Sequence, residues 1–343
     1  MVTRSNAPRR SAAPKKMIRP RPTRVTRATA PVPDGVFVSA QARAQMLVTA
    51  GVAIEPVDAR RRAQGAEMLD VESLRPDWAD LQRVPPLQVV ISRDRIEHRA
   101  RAKALSPVVV TLADEAMRFT FPWCTIGRVR SGHMPNFDVA LSNGTGVLVG
   151  PNLMLTASHL APWAHGPEGW WMEFTPAFNA QHSVPAPFGK SFVDSYRGTK
   201  YFADASPGGT DYVICKLYEP LGKRLGWMGT RSYGDENKYY NKPFVSVGYP
   251  SDFQGRPIVD FDIYIKDIDG DGSGRELEVL YAKAAGGGWS GGPLWSSEVD
   301  GSDARVYGIK SGWEVDAYDP ARGVFAGGGY MVELVKYGLA NWA

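Results

Sequence analysis

The sequence predicts an all-β fold of antiparallel strands, closed by a C-terminal helix and preceded by a disordered N-terminal tail. Three observations predict it. From about residue 116 the chain becomes a succession of short apolar runs separated by clusters of Gly, Pro, Asn and Asp, the pattern of an all-β barrel or sandwich. The runs follow one another too closely for crossover helices, which favours antiparallel pairing over a parallel sheet. At the end of the chain the period changes, and Val332, Val335 and Leu339 stand at helical spacing within Val332 to Trp342.

Taken in order, residues 1–35 hold nine Lys/Arg against Asp34 alone, a net charge of +8, with dense proline and few large apolar residues. Such a stretch cannot offset the entropy of its own ordering and reads as a solvated basic tail. The whole chain carries only +4, so the remainder is acidic by about four charges and the basic character belongs to the tail. Residues 36–115 balance eleven basic against eleven acidic groups and read as a pro-region or accessory segment, with short helices over Ser39–Thr49 and Asp58–Leu69. The segment 116–343 is the folded domain. Its strands are expected at about 123–130, 144–149, 152–156, 170–174, 211–217, 243–248, 258–266, 276–283, 293–296, 305–311 and 326–332.

With 343 residues, 43% of them hydrophobic and ten Trp, the chain can bury one large core or two smaller ones. Cys124 and Cys215 both sit in apolar runs and read as buried free thiols, with a single disulfide between them as the alternative. No apolar stretch reaches the roughly 18 residues of a spanning helix, and Arg, Lys and Pro interrupt the N-terminal stretch where a secretory apolar segment would stand. Nothing in the residues assigns a compartment, and the chain is expected to be a monomer.

Three segments carry chemistry. Gly144-Thr-Gly-Val-Leu-Val-Gly-Pro-Asn-Leu-Met-Leu-Thr-Ala-Ser-His159 is a hairpin whose second strand ends in a histidine; Asp211-Tyr-Val-Ile-Cys-Lys-Leu217 is an aspartate opening an apolar strand; Gly286-Gly-Gly-Trp-Ser290-Gly-Gly-Pro-Leu294 is a serine in a loop of five glycines. A serine hydroxyl attacks a carbonyl only if a base takes its proton, the base is held in one tautomer, and donors meet the developing oxyanion. These segments supply His159 as base, Asp211 as its orienting partner, Ser290 as nucleophile, and the N–H groups of Gly288 and Ser290 as oxyanion hole. Asp194 and Asp204 compete for the role of Asp211, but neither opens an apolar strand.

The ordered triple Thr-Ala-Ser-His159, Asp211-Tyr-Val-Ile and Gly288-x-Ser290-Gly-Gly-Pro resembles the trypsin/chymotrypsin superfamily, and most closely its glutamyl-endopeptidase (V8-like) branch. Phe121-Pro-Trp, Val247-Gly-Tyr-Pro250 and Gly308-Ile-Lys-Ser-Gly312 add to the resemblance, which covers about residues 120–340. It implies two antiparallel six-stranded β-barrels with the active site between them, a serine endopeptidase that works through an acyl-enzyme on a polypeptide substrate without a cofactor, and an N-terminal propeptide. It also implies a substrate pocket of Ala285, Lys310, Ser311 and Gly312. Glutamate-preferring members carry a histidine where this chain has Lys310 and a hydroxyl residue where it has Ala285; the Lys310 ammonium would still attract an acidic P1 side chain. Trp289 stands where trypsin has an aspartate, so activation by an N-terminal ammonium paired with that aspartate does not apply. The alternative to an enzyme is a catalytically silent fold of this type serving as a binding module.

Two further features stand outside this resemblance. Asp267-Ile-Asp269-Gly-Asp271-Gly272 with Glu278 at the twelfth position satisfies a calcium-loop pattern, but its flanks alternate like strands, so a Gly/Asp-rich hairpin is the first reading and calcium the second. The basic tail has no aromatic residue interleaved through residue 35 and no recognition motif, which sets nucleic-acid binding behind a solvated tail or targeting segment.

Overall fold

Leu153–Thr156 and Trp170–Pro176 are buried at every position, which is why they read as unbroken apolar runs instead of alternating ones: each is covered on both faces. A computed structural model describes residues 52–53, 68–78, 88–90, 109–112 and 116–343, apart from 138, 166, 168, 202–206, 272–273, 281–283, 285, 298–302 and 315–321. The basic tail, the helix expected at Ser39–Thr49 and most of that expected at Asp58–Leu69 lie outside the described residues, as do Asp204 and Ala285.

The elements are β1 (Val52–Ala53), β2 (Met68–Val71), β3 (Gln88–Val90), β4 (Val109–Leu112), β5 (Ile126–His133), β6 (Ser142–Gly150), β7 (Leu153–Thr156), β8 (Trp170–Pro176), β9 (Ser191–Gly198) and β10 (Val213–Leu217). After a short helix α1 (Leu221–Leu225) come β11 (Gly229–Tyr233), β12 (Phe244–Gly248), β13 (Ile258–Ile263), β14 (Ile265–Asp271), β15 (Gly274–Leu280), β16 (Pro293–Ser296), β17 (Arg305–Glu314), β18 (Arg322–Gly327) and the C-terminal helix α2 (Gly329–Trp342). The six strands β9-β10-β7-β6-β5-β8 close into a barrel through the β8–β9 pairing, with β1 added in parallel at β9. The second sheet runs β14-β15-β18-β17-β16-β12-β13-β4-β3, with β11 and β2 attached at β17. Here the expectation of two six-stranded barrels is met in part: the first closes, and the second is a curled sheet of more strands whose ends do not pair among the described residues.

Strands β1 to β4, β9 and β11, and most of β14, lie outside the strand ranges expected from the sequence. Strand β11 reads Gly-Thr-Arg-Ser-Tyr, yet all five residues are buried, because its neighbours β17 and β2 cover its polar groups. In β9 the alternation of Phe192, Asp194 and Arg197 with buried neighbours is too polar to register as an apolar run. Met68 and Leu69, expected at the end of a helix, lie instead in β2, where antiparallel pairing to β11 overrides local helix propensity. The strand expected at 326–332 ends at Gly327, since Gly328 at φ 96° turns the chain into α2.

The larger core cluster fills the barrel, runs on into the second sheet through Val247, Val259, Trp295 and Val306, and extends under α2 through Tyr330, Met331, Leu334 and Val335, while a smaller one lies within the second sheet around Tyr239, Phe244, Trp289, Tyr307 and Phe325. Helix α2 approaches the barrel closely at Gly338, where an added Cβ would lie 3.1 Å from both Leu153 and Ile214 side chains. The Asn152 amide donates to the Trp342 carbonyl at 2.7 Å and so holds the end of the helix.

Residues 68–78 belong to this packing. Asp70 accepts from Arg231 Nε at 2.8 Å and from Arg305 Nε at 3.0 Å, and Ser73 Oγ accepts from Arg305 at 2.9 Å. Leu74 exchanges backbone hydrogen bonds with Trp227, and an added Cβ at Gly229 would stand 2.1 Å from the Val71 carbonyl oxygen. Cys124 and Cys215 are free and buried, and burial raises both thiols far above their ordinary value. Among the described residues no helix is long and apolar enough to cross a membrane.

Candidate active site

His159 lies in a single 3-10 turn, Ser158–Leu160, directly after β7. Its position is set twice by Asp211: the His159 backbone N–H donates to Oδ1 at 3.0 Å, and the imidazole Nδ1 faces Oδ2 at 2.7 Å. Asp211 is only 1% exposed, so its oxygens need partners from the protein. A third donor is Ser311 Oγ, at 2.6 Å from Oδ2, and Ser311 in turn accepts the Gly208 N–H at 3.3 Å. Ser311, expected in the substrate pocket, thus has its hydroxyl on the carboxylate. Asp194, the competing acid, sits on β9 and pairs with Lys216 at 3.7 Å.

Ser290 is carried by a loop that three glycines with positive φ make possible: Gly286 at 115°, Gly288 at 101° and Gly291 at 83°. At Gly291 an added Cβ would stand 1.9 Å from the Thr145 carbonyl oxygen and 2.3 Å from Thr156 Oγ1. The loop is pinned to β6 by two contacts with Thr145, whose N–H donates to the Ser290 carbonyl at 2.8 Å and whose hydroxyl donates to the Gly288 carbonyl at 2.9 Å. Above Gly144 the Ser290 carbonyl and the Leu160 side chain leave no room for a Cβ, which would lie 2.7 Å and 2.3 Å from them. The serine loop therefore meets the hairpin that ends in His159. Trp289, 2% exposed, anchors the loop from the other side: its indole N–H donates to Ser246 Oγ at 2.9 Å, and its ring lies against Gly248. Neither Thr145, nor the anchoring of Trp289, nor the Ser311 contact is legible in the sequence; the glycine spacing points to the loop but not to its anchors.

Lys310 follows the same loop. Its N–H donates to the Gly292 carbonyl and its own carbonyl accepts from Gly291 N–H, both at 2.9 Å. The side chain is 4% exposed and lies 5.0 Å from the centre of the Phe325 ring. Burial pushes the ammonium down to about 7, opposed by the negative charge of Asp260. Gly312 abuts Pro207, against which an added Cβ would lie at 3.2 Å.

Strands β14 and β15 pair antiparallel, with Asp267 opposite Glu278 and Asp269 opposite Glu276. Glu278 is buried and its carboxyl is pushed well above the usual range, first by burial and then by the neighbouring Glu314. Carboxylate oxygens of Glu276, Glu278 and Glu314 all lie within 4.8 Å of one another, a group with the donors to hold a cation, although Arg322 at 3.9 Å from Glu278 and a shared proton also relieve the repulsion.

No protein-family model matches the chain, and no curated protein does. Solved structures are similar to it. A Glu endopeptidase in complex with MPD superposes with a TM-score of 0.51 at 15% identity, over 68% of this chain and 97% of that one. The protease Anisep from Arthrobacter nicotinovorans gives 0.43 at 16% identity, over 64% and 97%. A thermostable serine protease, AL20, from an extremophilic microorganism gives 0.45 at 14%, over 64% and 98%. The likeness to the Glu endopeptidase spans nearly all of that protein, and with the closed barrel, the curled second sheet and the terminal helix it assigns the chain the fold of the chymotrypsin-like serine proteases.

Proposed function

We propose that the protein is a serine endopeptidase in which Ser290 attacks the peptide carbonyl, His159 takes and returns the proton, and Asp211 orients the imidazole and stabilises its charged form. The observation that carries this reading is the double grip of Asp211 on His159, through the ring at 2.7 Å and the backbone N–H at 3.0 Å. With Nδ1 committed to the carboxylate, Nε2 is the nitrogen left to exchange a proton with a hydroxyl. The N–H groups of Gly288 and Ser290 would receive the oxyanion; donors aimed at the developing charge are worth about 100 to 1,000-fold in rate each. Positive φ at Gly288 fits that duty.

The substrate is a polypeptide, and Lys310 is the basis for a preference for acidic P1 side chains: a buried cation without a close ion-pair partner among the described residues gains most from an arriving carboxylate. The test is cleavage of a peptide library that varies P1 through acidic, basic and apolar residues, by the full chain and by Ser290→Ala. Cleavage by the first, lost by about six orders of magnitude in the second, is the expected result. Absence of cleavage, together with no labelling of Ser290 by a serine-directed phosphonate, would overturn the enzyme reading in favour of a binding module.

A further inference from the structure

Strands β12 and β13 carry Ser246 and Asp260 opposite each other, and both hold the serine loop. Ser246 accepts the Trp289 indole N–H, and Asp260 Oδ2 accepts the Ala284 backbone N–H at 2.8 Å. Ala284 keeps φ at 50°, a region that an L-residue occupies only under constraint, and it lies six residues before Ser290. Asp260 is 4% exposed, so this tether is made by a buried carboxylate.

The surroundings of Lys310 leave few sources of charge. Strand β12, strand β16 and the loop 286–292 contain no ionisable side chain, and β18 presents the Phe325 ring. Arg322, at the far end of β18, is engaged by Glu278. Among the described residues, Asp260 is the charged group whose field reaches the ammonium.

We propose that Asp260 is a positioning residue for the substrate pocket: its hydrogen bond to the Ala284 N–H fixes the chain that leads into the serine loop, to which the Lys310 backbone is bonded. This rests on the pocket reading given under the proposed function. Binding of an acidic side chain is then coupled to proton uptake at Lys310, and the selection for acidic P1 weakens as pH rises through the Lys310 titration.

The test uses the full chain and two peptides that differ only in Glu or Gln at P1, with kcat and KM measured from pH 5.5 to about 9.5, a span chosen to bracket ordinary and depressed lysine titrations. In the wild type the Glu/Gln ratio of kcat/KM falls by up to about tenfold per pH unit above the midpoint. Asp260→Asn retains an acceptor oxygen for the Ala284 N–H and shifts that midpoint to lower pH. Asp260→Ala loses the tether as well and lowers kcat for both peptides. Lys310→Met removes the selection at every pH; if it does not, the pocket reading fails whatever Asp260 does. If Lys310→Met removes it and Asp260→Asn leaves the midpoint in place, the role of Asp260 alone is overturned. A readout independent of turnover is the Lys310 Cε shift in 13C-lysine protein, assigned by its disappearance in Lys310→Met. A midpoint lower in Asp260→Asn supports the proposal even if no peptide is cleaved, and an equal midpoint overturns it.

Discussion

Ser311 Oγ donates to Asp211 at 2.6 Å, on the same oxygen that faces His159 Nδ1 at 2.7 Å. One carboxylate oxygen therefore serves two donors while the other receives the His159 backbone N–H. A hydrogen bond to a charged group contributes about 1.5 to 3 kcal/mol. Ser311→Ala is expected to lower kcat by about 10 to 100-fold with KM little changed and to shift the acid limb of the pH–rate profile, because the residue acts through His159. An unaltered pH profile would show that Ser311 only fills space.

Gly291 is expected to tolerate no side chain. The backbone stands at φ 83° and an added Cβ would meet the Thr145 carbonyl at 1.9 Å, so neither conformation nor space admits it. The left-handed conformation alone costs about 1 to 2 kcal/mol for an L-residue, and the clash adds to it. Gly291→Ala should lower the melting temperature and remove peptidase activity together. Gly270, where nothing lies within 4 Å of an added Cβ, provides the control: Gly270→Ala should leave both intact.

Asp70 ties the segment 68–78 to the second sheet. Burial raises its carboxyl, but the hydrogen bonds and charges of Arg231 and Arg305 outweigh burial and hold it below the ordinary value. A depressed carboxyl contributes stability above its unfolded value and loses it as pH falls through the folded one, so the contribution disappears below about pH 4. Asp70→Asn should lower stability at pH 7 by about 1 to 3 kcal/mol, less than a fully buried pair because Asp70 is partly exposed, and should flatten the acid dependence in thermal melts. We also expect the mature protein to keep this segment: removal of residues up to 67 should be tolerated, and removal through 78 should not, as read by N-terminal sequencing of the active form.

Glu278 works in the opposite direction. Burial first, then Glu314, raises its carboxyl, so the native state holds a proton that the unfolded chain releases. Stability from that proton is full below the ordinary carboxylate value and is lost as pH rises through the raised one. Glu278→Gln should melt higher than the wild type at pH 7 and above, with the difference vanishing near pH 4. If millimolar calcium raises the wild-type melting temperature and leaves Glu278→Gln unmoved, the three carboxylates are a cation site; equal shifts would exclude it.

How much of this was legible in the sequence depends on what each residue had to declare. Fold class came from local properties: Leu153–Thr156 and Trp170–Pro176 are apolar because both faces are covered, and the glycines around Ser290 mark a turn that side chains would block. Motif order likewise singled out His159 and Asp211, which the structure brings within 2.7 Å. The tertiary structure decided what depends on pairing across long separations. Strand β11 is strand only because β17 and β2 cover its polar residues, and Asp70 is a structural residue only because Arg231 and Arg305 converge on it. Ser311 acquired a partner in Asp211, and Asp260 acquired one in the Ala284 N–H. A chain records, residue by residue, what must be buried or bent, whereas a hydrogen bond between residues 100 or more apart exists only once the sheets have closed.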